Sequence, residues 1–125
     1  MNNPLLMAVA LALASSLAAA NDLVPLEWDP DGRFARELTI PATRFVEVCG
    51  RLPAQTQVTW AFDASAPVNF NIHYHEGRQV HFPVKKDAVA AARDRLIVRL
   101  DQDYCWMWTN KGSRPATLKF DLRRG

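Results

Sequence analysis

Two cysteines, Cys49 and Cys105, constrain what this chain can fold into more than any other feature. Each lies on a run of strand-forming residues, Phe45-Val46-Glu47-Val48-Cys49 early and Tyr104-Cys105-Trp106-Met107-Trp108-Thr109 late. With no third cysteine in the sequence, only one internal pairing exists. A disulfide between the two runs ties an early strand to a late one and locates the protein outside the reducing cytosol. Closing a loop of that length is worth roughly 3–5 kcal/mol in the chain-entropy model.

The beginning of the chain agrees with export. Leu5 to Leu17 is an almost unbroken run of Leu, Ala, Val and Met, too short for a comfortable bilayer span. It leads into Ala18-Ala19-Ala20, a small-residue cleavage pattern, before the polar Asn21-Asp22. Residues 1–20 therefore read as a cleaved signal peptide, although Met1 to Pro4 carries no Lys or Arg. Residues 21–125 read as a single domain with no transmembrane segment, in the periplasm or outside the cell. Fifteen basic and thirteen acidic residues give a formal net charge of +2, interspersed along the chain, which argues against a nucleic-acid partner.

Period-two alternation dominates the mature part. Val58, Trp60 and Phe62 alternate with Thr59, Ala61 and Asp63; Val68, Phe70, Ile72 and Tyr74 alternate with Asn69, Asn71, His73 and His75. Further runs at Val80–Val84, Leu96–Leu100 and Leu118–Leu122, with Phe34–Ile40, Thr43–Cys49 and the tryptophan run, make about eight strands. Ala64-Ser65-Ala66-Pro67, Glu76-Gly77, Asp101-Gln102-Asp103 and Asn110-Lys111-Gly112-Ser113 carry turn chemistry between them. Only Asp87 to Arg93, rich in alanine, has a helical flavour. The fold class is all-β, an antiparallel β-sandwich with one inter-strand disulfide. A three-residue loop His75-Glu76-Gly77 predicts a hairpin in which Asn71 faces His81 and Ile72 faces Val80.

Two sets of residues are candidates for a binding role. Tyr104, Trp106 and Trp108 share one side of a strand with no polar face. That strand is either covered on both sides or offers an aromatic platform to a partner. His73, His75 and His81 fall within nine residues, and imidazoles grouped on one sheet face suit Zn²⁺ or Cu²⁺. The hairpin above makes His73 and His81 diagonal neighbours. No histidine follows Cys105, so a blue-copper centre does not fit.

The residues from Phe45 through Leu122 resemble the GOLD domain, the luminal β-sandwich of p24-type cargo proteins. Cys49 ends an early strand as that family's first cysteine does. Cys105 lies in a late aromatic strand closed by Asn110, and Thr117-Leu118-Lys119-Phe120-Asp121-Leu122 resembles the final strand. The resemblance implies a module that binds proteins or lipids and performs no chemistry.

Catalytic constellations are weak. Ser65 and Ser113 lie in turns without a Gly-x-Ser-x-Gly elbow, and Asp29-Pro30-Asp31-Gly32 lacks the later ligands of a calcium loop. No phosphate-cradling glycine loop is present. The sequence thus predicts an exported, non-enzymatic binding protein without a cofactor, whose partner is a protein, peptide or lipid. The alternative is a periplasmic Zn²⁺- or Cu²⁺-binding protein that uses the three histidines.

Overall fold

A computed structural model describes residues 21–125, and the expected signal peptide lies outside those residues. The described residues form seven strands and no helix: β1 (Asp22–Pro25), β2 (Arg33–Ile40), β3 (Phe45–Leu52), β4 (Gln57–Glu76), β5 (Gln79–Ile97), β6 (Gln102–Thr109) and β7 (Ala116–Arg124). All belong to one hydrogen-bonded sheet in the order β1-β3-β6-β4-β7-β2, with β5 also paired to β4. The expected sandwich of about eight strands is therefore a curled sheet of seven.

Strand β4 organises the curl. One edge pairs with β5 over almost its whole length. The other edge is divided: Val58–Ala64 pairs with β7, and Asn69–His73 pairs with β6. Between them, Ser65-Ala66-Pro67 pairs with neither β6 nor β7, and Pro67 has no N–H to offer a ladder. The chain bends there without reversing, so the turn expected at Ala64–Pro67 is a corner inside a 20-residue strand. Register shifts on β4 between Asp63 and Val68 mark the same corner.

The corner brings the β7–β2 wing onto the β6–β3–β1 wing. Trp108 of β6 stacks on Phe120 of β7 at 5.1 Å, and Phe62 meets Trp108 edge-on at 5.8 Å. Alternation places Val58, Trp60, Phe62, Phe70 and Ile72 inside, together with Val46, Val48, Leu118 and Leu122, all nearly inaccessible. The Nε1 atoms of Trp60, Trp106 and Trp108 are buried without an acceptor among the described residues. Each unpaired N–H costs about 1–3 kcal/mol, whereas burying an indole gains roughly 4–6 kcal/mol from its area. The apolar term wins.

The disulfide pairs as expected. Cys49 and Cys105 are directly opposed on β3 and β6, with Cα atoms 4.1 Å apart. Beside them, Gly50 is required by a close approach: a Cβ there would lie 2.7 Å from Leu26 Cβ. The chain leaving β1 crosses at that point, with the Leu26 N–H donating to the Cys49 carbonyl at 2.7 Å.

Other expectations need correction. The alanine-rich Asp87–Arg93 segment is part of β5, with Ala91, Ala92 and Arg93 opposite Asp63, Phe62 and Ala61. Two turns of helix are marginal alone, and pairing with β4 overrides alanine's preference. Strand β6 begins at Gln102, inside the expected Asp101–Asp103 turn. The hairpin loop has two residues, Gly77-Arg78, with Glu76 opposite Gln79 and Gly77 at φ +60°. His81 consequently faces Tyr74 and not Asn71, a shift by an odd number of residues. Such a slip carries a side chain to the other side of a sheet. An irregularity between Ile72 and Tyr74 restores the parity, so Val84 meets Ile72 where Val80 was expected.

Candidate functional site

The most constructed surface of the molecule is the loop between β6 and β7. Its first residue, Asn110, is only 2% exposed and directs its amide into the backbone around it. Asn110 Nδ2 donates to the Ile40 carbonyl at 3.1 Å and to the Arg114 carbonyl at 2.8 Å, while Oδ1 accepts from the Gly112 N–H at 2.9 Å. Its own N–H donates to the Arg44 carbonyl at 2.9 Å, which joins the β2–β3 turn to the same cluster. That turn is closed by the Arg44 N–H on the Pro41 carbonyl at 3.2 Å, with Thr43 in the left-handed region at φ 64°. A buried asparagine making this set of bonds fixes a loop that sequence alone shows only as a turn.

The loop therefore presents its charges on a rigid base. Lys111, Gly112, Ser113, Arg114 and Pro115 are all exposed, as are Thr43 and Arg44. Arg44, Lys111 and Arg114 enter no salt bridge among the described residues. Between Gly112–Pro115 and the Ser65–Pro67 corner of β4 lies a shallow depression of about 440 Å³. Ser65 Oγ accepts from the Thr117 N–H at 2.8 Å and holds the corner to the start of β7. The result is a cationic end of the sheet, preorganised by backbone hydrogen bonds.

The residues singled out from sequence lie elsewhere. Tyr104, Trp106 and Trp108 are 2%, 0% and 1% exposed. They form core, so the exposed aromatic platform is corrected: the inner side of β6 is closed over by β7 and by the β4–β5 hairpin. Tyr104 donates its hydroxyl to the Leu100 carbonyl at 3.0 Å. Burial raises its pKa, partly offset by that hydrogen bond, with Tyr74 and Asp101 adding to the rise.

The three histidines do not converge. His73 and His75 share the outer side of β4, with ring centroids 5.3 Å apart. His81 is on the inner side, stacked on Tyr74 at 5.0 Å, because of the hairpin register. What His73 meets instead is Glu47 of β3, which reaches over β6: Nε2 and Oε2 are 3.7 Å apart. Its Nδ1 bonds Asn71 Oδ1 at 2.7 Å. Burial lowers the His73 pKa, and nearby His75 lowers it further. Burial raises that of Glu47, against a smaller pull down from His75. Burial thus works against charge on both groups, and the 3.7 Å contact is longer than a hydrogen bond. Ligand atoms of Glu47, His73 and Cys105 lie within 4.8 Å of one another, but the Cys105 sulfur is committed to the disulfide.

No family model matches the chain, and no curated protein matches it. Solved structures do. The chain is similar to Aeromonas hydrophila PliG, a periplasmic lysozyme inhibitor of g-type lysozyme, with a TM-score of 0.65 at 13% identity over 86% of this chain and 100% of that one. A PliG mutant from Escherichia coli gives 0.56 at 8% identity, covering 86% and 100%. Salmonella Typhimurium PliG gives 0.57 at 8% identity, covering 83% and 98%. Both are likewise periplasmic inhibitors of g-type lysozyme. At these identities the likeness is one of fold: a curled, all-β sheet. The Cys49–Cys105 disulfide, with no free cysteine among the described residues, is the sulfur chemistry of an exported protein.

Proposed function

We propose that this chain is an exported, non-enzymatic protein that binds and blocks a lysozyme-type glycosidase in the periplasm, using its basic loop end. The observation that carries the reading is the likeness of fold to three g-type lysozyme inhibitors over 98–100% of their own chains. The residue-level support is electrostatic. Glycosidases of this kind cleave with carboxylates in an open cleft. Arg44, Lys111 and Arg114 offer unpaired cations to such a cleft. The Asn110 anchor removes much of the loop-ordering entropy that binding would otherwise lose. Charge complementarity of this sort speeds encounter and sets orientation more than it sets raw affinity. The GOLD-like reading leads to the same coarser function, a binding module without chemistry.

The test is titration of the purified protein against a g-type lysozyme in a cell-wall lysis assay. Saturable inhibition is expected, weakened at least about tenfold in Lys111→Ala/Arg114→Ala and further by rising salt. Full lysozyme activity at a large molar excess of well-folded protein would overturn the proposal.

A further inference from the structure

We propose that Glu47, His73 and His75 form a binding site for a single divalent first-row cation of the Zn²⁺ or Cu²⁺ kind, on the outer side of β3, β6 and β4. The site differs from the three-histidine face expected from sequence, because Glu47 takes the place of His81. It is independent of the loop end and of the inhibitor reading.

The argument begins with His73. It is 6% exposed, unusual burial for an imidazole on a solvent-side face. Asn71 Oδ1 can only accept, so His73 Nδ1 must donate to it, at 2.7 Å. In the neutral ring this leaves the lone pair on Nε2. Nε2 makes no hydrogen bond among the described residues, and its polar neighbour is Glu47 Oε2 at 3.7 Å. That separation is too long for a hydrogen bond. Nε2 and Oε2 therefore face each other across a half-dry site with no hydrogen bond between them.

A cation resolves this arrangement. Ligands held 2.0–2.2 Å from a tetrahedral Zn²⁺ are roughly 3.4 Å apart. The His73–Glu47 separation is already close to that value. The Asn71 bond is the outer-shell contact that metal-ligating histidines use to fix tautomer and ring orientation. His75, exposed and on the same side of β4, stands 5.3 Å from His73 by ring centroid and would supply the third ligand. Sheet register also puts Met107 opposite both Glu47 and Asn71, between them on this face, where a thioether would favour copper. Cys105 contributes no thiolate because it is disulfide-bonded. Water fills the remaining position.

The test is calorimetric titration and native mass spectrometry of chelator-treated protein with Zn²⁺ alone and with Cu²⁺ alone. One ion per chain is expected. Glu47→Gln, which keeps the shape of the side chain, should weaken binding tenfold or more, as should His75→Ala at its exposed position. Asn71→Ala should weaken it about 10–100-fold as an orienting contact. His81→Ala should leave it unchanged, and circular dichroism should show every variant folded. The proposal is overturned if neither ion binds stoichiometrically. It is equally overturned if folded Glu47→Gln binds as the parent protein does, or if His81→Ala abolishes uptake.

Discussion

The two sides of β6 look equally apolar in sequence and do opposite work. Tyr104, Trp106 and Trp108 face inward and carry the centre of the core. Cys105 and Met107 face outward, yet Cys105 is only 8% exposed, because Glu47 and His73 reach across the strand from either side. The inner side is held by area, the outer side by one covalent bond and a roof of polar side chains. Hydrophobicity alone does not say which side of a strand is the core; the neighbours that close over it do.

The difference can be broken from either side. Trp106→Ala, which empties the inner side, should lower the unfolding free energy by about 3–5 kcal/mol in a denaturant titration. A loss under 1 kcal/mol would mean that the indole is not packed as described. Next in size, the Cys49→Ser/Cys105→Ser double variant should lose about 4 kcal/mol for a sequence separation of 56 residues, with the near-ultraviolet signal of the tryptophans retained. Loss of that signal would show that the two sides are not independent.

Asn110→Ala, at the end of the same strand, removes three side-chain hydrogen bonds from a buried position. The expected loss is about 1–3 kcal/mol, with amide exchange quickening in residues 111–114. Unchanged exchange would mean that the loop is held by other contacts.

A smaller effect tests the outer, polar side of β7. Burial raises the Asp121 pKa, but hydrogen bonds and charges from Arg33 and Arg123 outweigh it and hold the carboxyl below its usual 3.8. Arg33 grips it with Nε at 2.9 Å and Nη2 at 2.6 Å. A depressed carboxylate contributes stability that is complete above its unfolded pKa. That contribution is lost as pH falls below 3.8 toward the folded value. The pair is partly exposed, so the loss should be about 1 kcal/mol or less. It should vanish from the acid-unfolding curve of Asp121→Asn, and an unaltered curve would remove the pair's role. Lys111→Ala should change stability by less than about 0.5 kcal/mol, since the side chain is exposed and enters no salt bridge among the described residues.

Much of the fold was legible in local pattern. Strands β2, β3 and β7 follow from alternation, and the Cys49–Cys105 link follows from two cysteines on strand-like runs. The merging of two expected strands into β4 was not legible, because Ala64-Ser65-Ala66-Pro67 carries the composition of a turn and of a corner alike. Nor was the anchoring role of Asn110, since an asparagine before Lys-Gly-Ser reads as a turn whether it is exposed or buried. Glu47 escaped notice because its partner, His73, lies two strands away in the sheet.

The sequence by itself determined an all-β chain, its covalent link and its mild positive charge, since these rest on residue type and short-range periodicity. Tertiary structure alone decided which aromatic side is core, where His81 points and which cations stand together. Those depend on register and on which strand closes over which. A side chain's face alternates with every residue, so a single odd shift in one hairpin was enough to separate His81 from His73 and His75.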